Sequence, residues 1–145
     1  MLRPMARRLA AFALLLVVLA PVAFAAGTVT TTERRAASYK VVKFAWTSSA
    51  GGAADATTAG TFCGKVDMLA TVPGAGGVQP TDLYDVVVTD ADGVDVLAGA
   101  GANRSNATTQ TVVTASLGAV CYSTLTLAVT NAGNAKAGVL LLYVR

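Results

Sequence analysis

Between residues 38 and 145 the apolar side chains alternate with polar ones or fall in short continuous runs. Nowhere do they recur at the three-to-four spacing of an amphipathic helix. Gly, Pro, Asn and Asp interrupt these β-branched runs at short intervals, a pattern that specifies an all-β domain of antiparallel strands. A strand is expected over 38–47, with Val42, Phe44 and Trp46 on one face and Tyr39, Val41, Lys43 and Ala45 on the other; Trp46 reads as a core anchor. The Gly- and Ala-rich stretch 48–60 reads as a flexible loop. The next strand, 61–72, is expected to set Phe62, Val66, Met68 and Val72 against Lys65, Asp67 and Thr71. After a loop over 73–80, the run Val86, Val87, Val88 within 83–89 suits a strand covered on both faces. Asp90, Ala91, Asp92 and Gly93 are the strongest turn signal, with 94–97 as the returning strand of a hairpin. Loop 99–106, a Thr and Val strand over 108–116, a long strand over 119–130 and a turn at 131–134 lead to the final strand, 138–144. The expected fold is a single antiparallel β-sandwich or jelly-roll-like domain of seven to eight strands over 38–145. An immunoglobulin domain is excluded because Trp46 precedes both cysteines instead of lying between them.

The N-terminus is of a different kind. Three arginines within residues 1–8 precede twelve apolar residues, 9–20, and Ala23, Phe24, Ala25 complete the layout of a secretory signal peptide cleaved between Ala25 and Ala26. An apolar leader helix over 1–25 and a flexible, Thr-rich arm over 26–37 are therefore expected ahead of the domain. Two other readings stay open: a retained membrane anchor, with membrane contact only through the uncleaved leader, and a true start downstream near Val29. Cys63 and Cys121 form one disulfide in an exported chain, or two buried thiols in a cytoplasmic one.

Charge narrows the function. Arg3, Arg7 and Arg8 carry the whole basic surplus, and removing them leaves eight cations against eight carboxylates. A neutral domain lacks the clustered Lys and Arg of a nucleic-acid binder. The chain contains no His, which removes histidine triads, histidine general bases and most zinc sites. Asp90, Asp92 and Asp95 around Gly93 are a weak calcium candidate without the bidentate Glu of a complete loop, and a plain hairpin turn is the preferred account of them. Asp82 and Asp85 could be named as a general acid and base, but their place at a strand start points to capping. Asn103 and Asn106 head two glycosylation sequons in a loop. Tyr39, Trp46, Tyr84, Tyr122 and Tyr143 would form a sugar-stacking platform only if several shared an exposed face. The expectation is a protein with no catalytic role, no metal and no cofactor.

The run PTDLYDVVVTDADGVDVLAGAGANRS at 80–105, with KFAWTSSAGGAA before it and LTLAVTNAGNAKAGVLLLYVR at the end, resembles a family of small β-rich proteins encoded among the structural genes of tailed bacteriophages and prophages. The resemblance covers residues 39–145. It implies a virion-associated structural protein, such as a head decoration or other accessory component, whose partner is a capsid or other virion protein or a second copy of itself. Pro80, Thr81, Tyr84, Asp85, Asp90, Gly93, Asp95, Leu97 and Gly99 carry the pattern. In each a structural role is expected: Pro80 and Thr81 in the loop exit, Gly93 in the turn, Tyr84 and Leu97 in the core. A virion location requires the downstream start, because tailed-phage particles assemble in the cytoplasm; a cleaved leader instead implies an exported periplasmic or cell-surface binding module.

Overall fold

A computed structural model describes residues 27–113, 115 and 117–145, with the side chains of residues 36, 119, 121 and 122 excepted. The leader, its cleavage site at Ala25 and Ala26, and the expected leader helix lie outside the described residues. Within them the chain is all-β. Nine strands run in the order β1 (Thr28–Ala36), β2 (Tyr39–Thr47), β3 (Ala54–Thr57), β4 (Phe62–Pro73), β5 (Asp85–Thr89), β6 (Gln110–Val112), β7 (Ala119–Ser123), β8 (Thr126–Thr130) and β9 (Ala137–Val144). One 3-10 turn, Gly76–Val78, interrupts the β4–β5 connection.

The strands form two antiparallel sheets. The larger has the order β1-β2-β9-β4-β6, with β7 also paired to β4; the smaller has the order β3-β8-β5. Val42, Phe44 and Trp46 of β2, Leu140, Leu142 and Val144 of β9, and Val66 and Leu69 of β4 point into one core. Val86 and Val88 of β5, with Leu127 and Val129 of β8, meet them from the small sheet. Each such side chain contributes about 1.5–3 kcal/mol by leaving water. Trp46 and Tyr84 join the sheets directly, their ring centroids 5.6 Å apart and their planes tilted by 53°; tilted aromatic pairs of this kind add about 0.5–1.5 kcal/mol.

Several expectations need correction. The arm expected over 26–37 is mostly strand β1, paired along its length with β2 from Thr28↔Thr47 to Ala36↔Tyr39. Its threonines are good strand formers on an edge that needs few apolar residues, and Val29 alone packs against the core. Ala37, at φ 50°, turns the hairpin. The loop expected over 48–60 contains β3, and the threefold valine run of β5 is covered on one side only, Val87 being 38% exposed.

In β4 the register slips between Val66↔Val144 and Met68↔Tyr143. The extra residue, Asp67, inverts the parity of everything that follows. Leu69 and Thr71 are consequently buried, while Met68 and Val72, expected to point inward, are half-buried. The strand expected over 108–116 shrinks to the three residues of β6. The long strand expected over 119–130 breaks at Thr124 and Leu125, where the chain leaves the large sheet for the small one. Thr58 holds that crossing: its amide donates to the Leu125 carbonyl (2.9 Å) and its hydroxyl accepts the Leu125 amide (3.0 Å).

The returning strand expected at 94–97 is absent. Contact with β5 is limited to the bridge Thr89↔Asp95 and the bond from the Val96 amide to the Val88 carbonyl. The cause is Asp95, whose carboxylate accepts the amides of Leu97 (2.9 Å) and Gly99 (2.8 Å) and winds the chain into successive turns.

Candidate functional site

Two regions concentrate side chains with a possible function. The first is the cluster of loops around the start of β5. Pro80 is buried, and the Thr81 amide donates to the Ala132 carbonyl at 2.8 Å. Leu83 is 57% exposed at φ 60°, a backbone region that bulky side chains rarely adopt. Tyr84 then plunges into the core, 1% exposed, and its carbonyl accepts the Arg104 amide at 2.7 Å. Asp85 accepts the Asn103 amide at 2.9 Å and the Asn131 side-chain amide at 2.8 Å. These bonds, the Asn103 amide foremost, hold its carboxyl below the usual aspartate range. Asn103 and Asn131 are themselves left-handed, at φ 53° and 61°, a conformation that asparagine tolerates. Asp82 accepts a different amide, that of Asn106, at 3.2 Å. Both carboxylates thus cap backbone amides of the one loop between β5 and β6 and order it.

The Asp90–Gly93 turn is built in the same way. Asp90 Oδ1 accepts the amides of Asp92 (3.0 Å) and Val94 (2.9 Å), and Gly93 takes φ 81°. With the Asp95 carboxylate committed to Leu97 and Gly99, the three aspartates of the calcium candidate are dispersed along the loop, and no group of three acidic, Cys or His residues among the described residues could hold a metal ion. Leu97 is fully buried and Tyr84 anchors the core, whereas Asn103 and Asn106 lie in the loop between β5 and β6.

Burial pushes the Tyr84 hydroxyl to a higher pKa, which the Thr71 hydroxyl and then the Arg104 charge partly offset. Neither hydroxyl makes a hydrogen bond of good geometry, so Thr71 Oγ1 and Tyr84 Oη are a buried, poorly satisfied pair.

The aromatic side chains divide. Trp46 and Tyr84 are internal; Tyr39 and Tyr143 lie on the outside of the large sheet, where the Arg145 guanidinium sits 5.7 Å from the Tyr39 ring centroid. Tyr122 falls outside the described side chains. For the cysteines, the β4–β7 register runs from Phe62↔Ser123 through an irregularity to Gly64↔Val120. Cys63 and Cys121 therefore occupy facing segments of neighbouring strands, and Cys63 is exposed; the Cys121 side chain is outside those described.

The second region, missed from sequence, is the outer face of the large sheet. There Val41, Val72, Val139, Leu141 and Tyr143 floor a groove of about 540 Å³, rimmed by Thr32, Arg34 and Lys43. The groove continues past Val72 and Val139 towards Thr28 and Thr30 of β1. Its signal was present in the sequence: residues 138–144 contain no charged residue, so the inward face of β9 takes Leu140, Leu142 and Val144 and leaves Val139, Leu141 and Tyr143 outside. An apolar sheet face of this kind suits contact with another protein surface. Among the described residues no helix is long and apolar enough to cross a membrane. No protein-family model, curated protein or solved structure matches the chain.

Proposed function

We propose that this chain is a non-catalytic structural or accessory protein of a tailed-phage or prophage virion, such as a head decoration protein, folded as a β-sandwich. The observation that carries the reading is the apolar groove on the outer face of the large sheet, a surface suited to docking a protein and lined by no carboxylate. The motif run at 80–105 supports it, because four of its five aspartates, Asp82, Asp85, Asp90 and Asp95, accept backbone amides and so serve to order the loops. Its partners are then a capsid or other virion component, or itself, with no nucleic acid. Mass spectrometry of particles purified after prophage induction tests the reading. The protein should be present in a fixed ratio to the major capsid protein, and its absence from intact particles would refute the proposal.

A second reading is favoured by one separate observation, the facing strand segments of Cys63 and Cys121. It makes the chain an exported β-sandwich binding module, matured at Ala26 and clipped by one disulfide. Closing so long a loop would contribute about 4 kcal/mol in the chain-entropy model. The intact mass of the native protein without reductant separates the two: a chain beginning at Ala26 and lacking two thiol protons supports export, while an unprocessed chain with both thiols reduced refutes it.

A further inference from the structure

The neutral charge balance conceals a division in space. Glu33 and Asp67 are the only acidic residues on the large sheet, against Arg34, Arg35, Lys40, Lys43, Lys65 and, at the end of β9, Arg145. Asp55, Asp82, Asp85, Asp90, Asp92 and Asp95 all belong to the small sheet and its loops. The two remaining cations of the described chain, Arg104 and Lys136, are loop residues whose side chains bond to the carbonyls of Ala102 and Gly77.

Each outer face combines its charge with apolar side chains. On the large sheet, Arg34 and Lys43 border the groove floored by Leu141 and Val139. On the small sheet, Asp55, Ala128 and Val87 lie in one row across the three strands, placing an exposed valine and an exposed carboxylate on the surface opposite the core. Among the strand residues of that sheet there is no Lys or Arg. A groove with an apolar floor and a cationic rim is complementary to a face that sets the Asp55 carboxylate in one row with Ala128 and Val87, and both are carried by the same molecule.

We propose that copies of this chain associate head to tail, the small-sheet face of one copy, with Asp55 and Val87, docking into the Arg34 and Lys43 groove of the next. The two patches differ, so the contact is heterologous: it leaves a free groove at one end and a free acidic face at the other, and it propagates into a ring or a filament. This arrangement does not depend on the virion reading, since an exported protein with the same faces would assemble in the same way.

Sedimentation velocity of the protein recovered from cells expressing the full chain tests it, in about 20 mM and about 500 mM salt, which bracket the screening of charges roughly 10 Å apart. The wild type should form dimers and larger species in low salt, with an affinity at least tenfold weaker in high salt (~1.4 kcal/mol). Lys43→Glu and Asp55→Lys alter outward side chains on opposite sheets, so circular dichroism should show both folded. Each alone should sediment as monomer, and an equimolar mixture should regain association, because the intact groove of one variant meets the intact acidic face of the other. A monomeric wild type up to about 1 mM would overturn the proposal. So would association insensitive to salt, a dimer that survives Asp55→Lys but not Lys43→Glu, which marks groove-to-groove packing, or a mixture that stays monomeric.

Discussion

Gly138 sits opposite Trp46 in the β2–β9 pairing, and the indole occupies the space where a side chain would stand. A Cβ at this position would lie 2.5 Å from Trp46 Cζ2, 2.8 Å from Cε2 and 3.1 Å from the Val72 carbonyl oxygen. Carbon atoms pack at roughly 3.5–4.0 Å, so Gly138→Ala requires the ring to retreat by about 1 Å. The indole has little room to move, since it is 3% exposed and Tyr84 stands 5.6 Å from its centroid. Overpacking of this kind costs about 1–3 kcal/mol, and the reduced freedom of the unfolded chain returns about 0.4–1 kcal/mol. The expected net loss is about 1–2 kcal/mol, or a fall in Tm of roughly 4–8 °C for a domain of this size. Trp46 is the only tryptophan, so its fluorescence follows both the unfolding transition and the displacement, with emission moving to longer wavelength in the folded variant. In a Trp46→Phe background, followed by circular dichroism, the cost of Gly138→Ala should fall by more than half. A variant as stable as the wild type, or an equal cost in both backgrounds, would refute the steric account.

Deleting the Tyr84 hydroxyl tests the polar pair in the core. Tyr84→Phe should stabilise the protein by about 1 kcal/mol in urea unfolding, because a buried group without a good partner costs about 1–3 kcal/mol. A comparable loss would mean that Thr71 does satisfy it. The raised pKa of Tyr84 also fixes the alkaline behaviour: below about pH 10 both states hold the proton, whereas above it the unfolded state loses the proton first and stability falls. Tyr84→Phe should flatten that decline in urea midpoints measured from about pH 9 to pH 11. Asp85 works in the opposite direction, its stabilisation complete above the ordinary aspartate value of about 4 and lost as pH falls through its lower folded value. Asp85→Ala should lower the urea midpoint at neutral pH and weaken the acid limb, and an unchanged limb would show that the Asn103 and Asn131 bonds contribute nothing. At Gly101 a Cβ would collide with the Val86 carbonyl oxygen, so Gly101→Ala should lower Tm by more than Gly138→Ala, the obstacle being backbone instead of a ring.

The class of fold was legible because alternation in β2 and β9 is a local property: Val42, Phe44 and Trp46 point inward as their spacing requires. What escaped was non-local. Nothing adjacent to Asp67 announces a bulge, yet it reverses the facing of Leu69 and Thr71 because the partner strand β9 accommodates one residue fewer. The strand β1 lacks an apolar stripe since an edge strand needs little burial, and Asp95 reads as a turn residue without revealing that its carboxylate would replace a strand with turns. The loop cluster was half legible: the motif residues were singled out, but not that Asp85 would reach Asn103 and Asn131. The groove arises because the uncharged run of β9 puts apolar side chains on both faces of the strand, while only one face meets the core.

The order of the large sheet also governs when this protein can fold. Its central pairings, β2 with β9 and β4 with β9, enlist a strand that follows all the other described strands in the chain. Until that strand leaves the ribosome, β2 has only its hairpin partner β1, and the apolar faces of β2 and β4 lack the strand that joins them. Completing the sheet therefore waits on pairings of wide chain separation, which makes folding slow relative to a helical domain and leaves the nascent polypeptide open to chaperones, proteases or a translocation channel until β9 has been made. Deleting β9 would remove the seam between the two halves of the sheet, so a chain cut before Ala137 should fail to fold.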